Sequence, residues 1–197
     1  MKAIRPLIIG IDPGVASGAI SVVNMDTMTL VDCQCLPVYR RATRTRRQGY
    51  FSMLDINAVA TMIGIYAEDT ALAILEEPGA MPNQGLSSTF RFGHACGQIH
   101  GALAASCITT MTVKPQVWKP ALGLSQIKME SIDKAKMMFP AARGRFTLKK
   151  DHDKAEATLL AIYGLKYFGH VIKDIRSGHA YRAHMAAKAI EPNAKVS

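Results

Sequence analysis

Two short apolar runs, each closed by an acid, constrain this chain more than any other feature. Leu7-Ile8-Ile9-Gly10-Ile11 runs into Asp12, and Ala71-Leu72-Ala73-Ile74-Leu75 runs into Glu76. Each run has the length of a strand and no polar residue, which predicts two strands buried in a sheet. Asp12-Pro13-Gly14 after the first is turn chemistry. A second strand is expected over Ala19-Ile20-Ser21-Val22-Val23 and a third around Thr29-Leu30-Val31, with a hairpin at Asn24-Met25-Asp26 between them. The start of the chain therefore reads as an antiparallel meander of three strands with an aspartate ending the first.

The rest alternates helix and strand. Asp55 is placed to cap a helix through Val59, Ile63 and Tyr66, and a second helix is expected from Ser87 to Ala105. Gly93, Gly97 and Gly101 recur on one face of that helix, which predicts close backbone packing there. Its Arg91, His94, Gln98 and His100 are incompatible with a membrane-dimer motif. Cys107 to Val113 reads as a fifth strand, and Pro115 to Leu124, with the only tryptophan (Trp118), as a turn-rich connection. A helix is expected over Ser125 to Phe139, a basic loop over residues 141–150, and a last helix from about Asp151 to Phe168. The order βββ-α-β-α-β-α-α predicts an α/β fold, a mixed five-stranded sheet flanked by helices. The expected organisation is one domain over residues 1–168 followed by a basic extension over 169–197.

Of the 197 residues 49% are hydrophobic and 20% charged, which excludes wholesale disorder. No stretch approaches the roughly 18–20 apolar residues of a membrane span, and the first apolar run lacks the length and cleavage site of a secretion signal. A cytoplasmic protein is expected. Cys33, Cys35, Cys96 and Cys107 lack zinc-knuckle spacing and read as buried thiols. The formal charge of +9 favours a polyanionic partner. Arg40, Arg41, Arg44, Arg46 and Arg47 stand together with no acid among them, within residues 37–50, which read as an exposed loop. They form either a solvated charge run or an arm that contacts phosphates.

The acids sit where elements begin or end. Asp12 and Glu76 close strands, while Asp153 and Glu156 lie three apart on the first turn of the last helix, on one face. If the two strands are neighbours and the helix docks beside them, four carboxylates converge. Their repulsion must be neutralised or their pKa values rise. A hard divalent cation with oxygen ligands answers that need, and two ions about 3.5–4 Å apart suit phosphodiester hydrolysis.

At this point the sequence resembles RuvC-type Holliday junction resolvases, especially short phage forms, within the RNase H-like superfamily. The resemblance is carried by Ile9-Gly10-Ile11-Asp12-Pro13-Gly14 with Gly18, then Leu75-Glu76-Glu77 with Gly79 to Gly85. It continues through Arg91-Phe92-Gly93 and Gly97, Pro115 to Lys119 with Gly123, and Asp153-Lys154-Ala155-Glu156-Ala157. It covers roughly residues 7–168 and implies an RNase H-like fold. It implies catalytic, metal-binding carboxylates at Asp12, Glu76, Asp153 and Glu156, with Asp151 as an alternative to Asp153 and His152 close enough to assist. Two Mg²⁺ ions per site are implied, Mn²⁺ being the alternative, with Asp12 shared between them, Glu76 on one and Asp153 with Glu156 on the other. Lys119 and Lys128 match the lysines that grip the junction, Arg91 matches a basic position on the helix after the second catalytic strand, and Ser87 and Ser88 there could bond phosphates from a helix N-terminus.

The implied activity is a crossover junction endodeoxyribonuclease. It would resolve four-way DNA by paired symmetric nicks that leave 5′-phosphate and 3′-hydroxyl ends. Paired cuts from one site per chain imply a homodimer, for which the glycine-faced helix is the candidate interface. The aromatic wedge of bacterial relatives falls near Gly79 or Met81 here, leaving Met81, Phe90 or Tyr39 as substitutes. Other readings are a debranching or YqgF-like nuclease of the same superfamily, a kinase-like ATPase suggested by Asp12-x-Gly14-x-x-x-Gly18, and a non-catalytic DNA-binding protein.

Overall fold

In the expected meander, β1 (Leu7–Asp12) pairs antiparallel with β2 (Ala19–Asn24), and β2 with β3 (Thr29–Cys35). The protein is seen in a computed structural model that describes residues 5–42, 49–77, 79, 85–125 and 127–177. Asn24 shapes the β2–β3 turn, its Oδ1 accepting from the N–H groups of Asp26 and Thr27 at 3.0 Å each.

Part of the expected loop over residues 37–50 is instead a ribbon. β4 (Val38–Ala42) pairs antiparallel with β5 (Tyr50–Leu54), apart from the main sheet. Its cross-strand pairs, Val38 with Leu54, Tyr39 with Met53 and Arg41 with Phe51, supply the β-branched, aromatic and aliphatic contacts a ribbon needs. The dense arginines disguise that pattern in the sequence. Arg44, Arg46 and Arg47 lie outside the described residues.

Asp55 caps α1 (Ile56–Tyr66) as expected, its Oδ1 accepting from the Ala58 N–H at 3.2 Å. β6 (Thr70–Glu76) then joins β1 in parallel. After α2 (Leu86–Ala105), β7 (Thr110–Val113) joins β6, so the sheet order is β3-β2-β1-β6-β7. The chain continues through α3 (Pro115–Ala121), α4 (Lys128–Met138), α5 (His152–Tyr167) and α6 (Gly169–Ser177). The turn-rich connection is thus helical, with Pro115 at the position where a missing N–H costs nothing. The basic loop over 141–150 is largely 3₁₀-helical, anchored by buried Phe146.

Strand alternation assigns the two faces. Ile9, Ile11, Ala73 and Leu75 pack with Val59, Ile63, Ile99 and Leu103 of α1 and α2. Ile8, Leu72 and Ile74 point the other way, to Leu159, Leu160, Ala161 and Tyr163 of α5 and to Trp118. Helix α5 lies directly on this second face. A Cβ on Gly10 would run into the Ala157 carbonyl oxygen and the Ala161 amide nitrogen, and one on Gly164 would strike Ile74 and Ile8. One glycine on each element brings helix backbone onto strand backbone.

Two packing expectations need correction. Gly93, Gly97 and Gly101 face open space, because Ala95, Ile99 and Leu103 form the buried stripe of α2. Only Cys33 is a buried thiol; Cys96 is half-buried, and Cys35 and Cys107 are exposed. Beyond residue 168, α6 packs through buried Ile172, and Arg176 reaches both carboxylate oxygens of Asp26 at 2.9 Å. No helix among the described residues is long and apolar enough to cross a membrane.

Candidate active site

Asp12 and Glu76 end adjacent strands in matched register, one step beyond the Ile11–Leu75 pair. By alternation both carboxylates fall on the α5 face, and the close seat of α5 on Gly10 brings the first turn of that helix to the same end of the sheet. One carboxylate oxygen each from Asp12, Glu76 and Glu156 lies within 4.8 Å of the others. Asp153 lines the same pocket but lies outside that trio.

Burial, reinforced by the charges of Glu76, Glu156 and Asp153, drives the Asp12 carboxyl well above its usual range, with only Lys119 pulling it back. Burial also raises Glu76; a hydrogen bond from Trp118 opposes that shift and the charge of Glu156 adds to it. Trp118 Nε1 donates to Glu76 Oε2 at 2.7 Å. Glu156 Oε1 accepts from Lys119 Nζ at 2.8 Å and from Ser131 Oγ at 3.2 Å. Lys119 is itself buried, so it stands inside the acidic cluster and not on an exposed arm. One ammonium cannot neutralise three close carboxylates. A donor set of carboxylate oxygens with surplus negative charge fits a hard divalent cation such as Mg²⁺. Burial lifts the nearby Cys96 thiol to about 11, so it offers no thiolate.

At the rim, His152 Nε2 lies 2.7 Å from Asp153 Oδ1 and 2.8 Å from Lys128 Nζ. Protonated, it donates to Asp153; unprotonated, it accepts from Lys128. Asp151 is committed elsewhere, to Lys154 at 2.8 Å and to the Leu148 N–H at 2.7 Å, and it does not line the pocket.

No protein-family model matches the chain, and no curated protein matches it. Among solved structures, Thermus thermophilus RuvC in complex with a Holliday junction substrate superposes with a TM-score of 0.60 at 14% identity, over 81% of this chain and 94% of that one. The chain has the RuvC fold. A second Thermus thermophilus RuvC structure gives a TM-score of 0.46 at 12% identity, covering 81% of this chain and 95% of that one. The fowlpox virus Holliday junction resolvase gives 0.49 at 17%, covering 82% and 99%.

Of the remaining candidates among the described residues, Lys128 alone lines the pocket. Ser87, exposed, stands on the first turn of α2. Arg91 donates to the Ser87 carbonyl at 3.1 Å and lies 4.8 Å over the Phe51 ring, which joins α2 to β5. Arg40 and Arg41 project from the exposed β4 strand. The ribbon starts beside the site: Cys35 pairs with Ala19, which pairs with Asp12, and the Leu36 N–H donates to the Gly18 carbonyl at 2.8 Å. Met81 lies outside the described residues, while Phe90 and Tyr39 are exposed. Sequence reasoning missed the parts played by Trp118 and Ser131. A lone tryptophan just past a strand was the available signal, since a buried indole needs an acceptor for its N–H.

Proposed function

We propose that this protein is a metal-dependent, structure-selective endodeoxyribonuclease that resolves four-way DNA junctions by paired symmetric nicks. The gathering of Asp12, Glu76 and Glu156 within 4.8 Å, at the carboxyl ends of neighbouring parallel strands, carries this reading. The RuvC fold supports it, since the neighbour with that fold is a junction-bound RuvC. Asp12 would be shared by two cations, Glu76 would hold one, and Glu156 with Asp153 the other. Bound Mg²⁺ supplies activation of water and stabilisation of the leaving oxygen.

The chain's own groups do the rest. Trp118 and Ser131 donate hydrogen bonds to Glu76 and Glu156, and Lys119 would offer positive charge to an incoming phosphate. Lys128, Arg91, Ser87, Arg40 and Arg41 would hold DNA phosphates, and Arg44, Arg46 and Arg47, which follow them in the sequence, would serve the same end. Phe90, 76% exposed on α2, is the better placed wedge for an unstacked base. The open glycine face of α2 supports a homodimer that sets two sites on one junction.

The test is a synthetic four-way junction incubated with Mg²⁺ or EDTA, beside linear duplex, flap and RNA–DNA hybrid substrates. Symmetric nicks on the junction, lost in EDTA, are expected. Preferred cutting of flaps or hybrids would assign a different nuclease of the same superfamily, and tight binding without cutting would leave a DNA-binding protein.

A further inference from the structure

Trp118 is the one tryptophan of the chain, and its side chain is fully buried at 0% exposure. It packs among Val113, Leu122, Phe139, Leu159 and Tyr163, a setting that fixes the ring. Its polar atom is nevertheless spent on the site, Nε1 donating to Glu76 Oε2 at 2.7 Å. The route is short. β7 lies beside β6 with Val113 opposite Glu76, and the Glu77 N–H donates to the Val113 carbonyl at 2.8 Å. Helix α3 starts two residues after Val113, and its first turn swings Trp118 back over the strand end.

We propose that Trp118 is a positioning residue that locks the rotamer of Glu76 and presents its carboxylate to a divalent cation. An indole N–H only donates, so it can bind the ionised carboxylate through one oxygen and leave the other for a ligand bond. A hydroxyl or amide in that place could rotate and compete; a wedged indole cannot. This inference rests on the metal-dependent reading above. Lys119 and Ser131 perform the matching task for Glu156, so two of the three gathered acids have side-chain hydrogen-bond donors that fix them.

The experiment compares wild type, Trp118→Phe and a protein in which the tryptophan is replaced by benzothienylalanine, an isostere with sulfur in place of N–H. With a single tryptophan, that replacement is confined to one position. Mg²⁺ affinity of the DNA-free protein is measured by calorimetry, junction affinity in EDTA by titration, and cutting as kcat and KM. Removing a partner that orients a metal ligand typically costs about 10–100-fold in affinity or activity, and that drop is expected in Mg²⁺ affinity and kcat with junction affinity unchanged.

A second readout is the single indole ¹H–¹⁵N resonance of the wild type, which should move in Glu76→Ala. Where Trp118→Phe fails to fold, the isostere, which keeps the shape and removes only the donor, decides. Wild-type Mg²⁺ affinity and kcat in the isostere, or an indole resonance indifferent to Glu76→Ala, would overturn the proposal. If wild type itself neither binds Mg²⁺ nor cuts, the metal-dependent reading falls first.

Discussion

Asp12 concentrates the electrostatic cost of the site in one side chain. Its carboxyl is raised by burial and by three other acids, so the folded protein holds that proton more tightly than the unfolded chain. The sign follows from proton linkage: where the folded state binds more protons, stability falls as pH rises. The Asp12 contribution is present below the ordinary carboxyl pKa of 3.8 and is lost as pH rises toward the elevated folded value. Asp12→Asn should therefore raise the neutral-pH melting temperature of the metal-free protein, and the gap to wild type should close in mild acid. A relief of about 1 kcal/mol moves Tm by roughly 2–4 °C for a chain of this size. Calorimetric scans in EDTA across pH check this, and Mg²⁺ should stabilise wild type more than the variant. The same substitution should abolish cutting and preserve junction binding. Loss of binding together with cutting would count against the role given to Asp12.

At the scale of elements, the contact of α5 with β1 decides whether the acids meet. Gly10 and Asp12 share a strand face, so the residue that admits the helix backbone stands two positions from the residue the helix must reach. Gly10→Val would set two methyl groups against the backbone of Ala157 and Ala161. Overpacking of this kind costs about 1–3 kcal/mol or more. A lower denaturation midpoint is expected, along with loss of cutting even where the fold survives, because the first turn of α5 would be lifted from the sheet. Gly164→Val should weaken the fold through Ile74 and Ile8, at a site more distant from the acids. The β4–β5 ribbon makes a different prediction. Arg40→Gln with Arg41→Gln should leave stability unchanged, since both side chains are exposed. In junction titrations the slope of log affinity against log salt should become shallower by about 0.9 for each phosphate that the pair no longer neutralises.

For the whole molecule, the outward face of α2 is the testable surface. Leu86 is 91% exposed, and Gly93, Gly97 and Gly101 meet nothing within 4 Å in this chain. Gly97→Arg should fold as well as wild type, or better, because glycine is a poor helix residue. If α2 is the dimer seam, sedimentation should show wild type as a dimer and Gly97→Arg as a monomer, with paired symmetric nicks replaced by single ones. A dimer that survives Gly97→Arg would place the seam elsewhere.

The sheet and its acids were legible because hydrophobic runs and strand ends are local properties: Leu7–Ile11 before Asp12 and Ala71–Leu75 before Glu76 suffice to predict two buried strands that finish in carboxylates. The ribbon was hidden because pairing of Tyr39 with Met53 and Arg41 with Phe51 joins segments on either side of an arginine run. Glycine spacing on α2 mimicked a packing motif, and only the position of Ala95, Ile99 and Leu103 against the sheet shows that the glycines look outward. A lone tryptophan signals a buried N–H in need of an acceptor, but which acid takes which partner could not be read from the chain. Trp118 lies 42 positions from Glu76 and Lys119 lies 37 from Glu156, and a hydrogen bond depends on distance in space, which no local pattern encodes. The residue types determined that acids would stand at strand ends and at a helix start; the β1–β6 pairing and the seat of α5 on Gly10 decided that they meet and which of them share one centre.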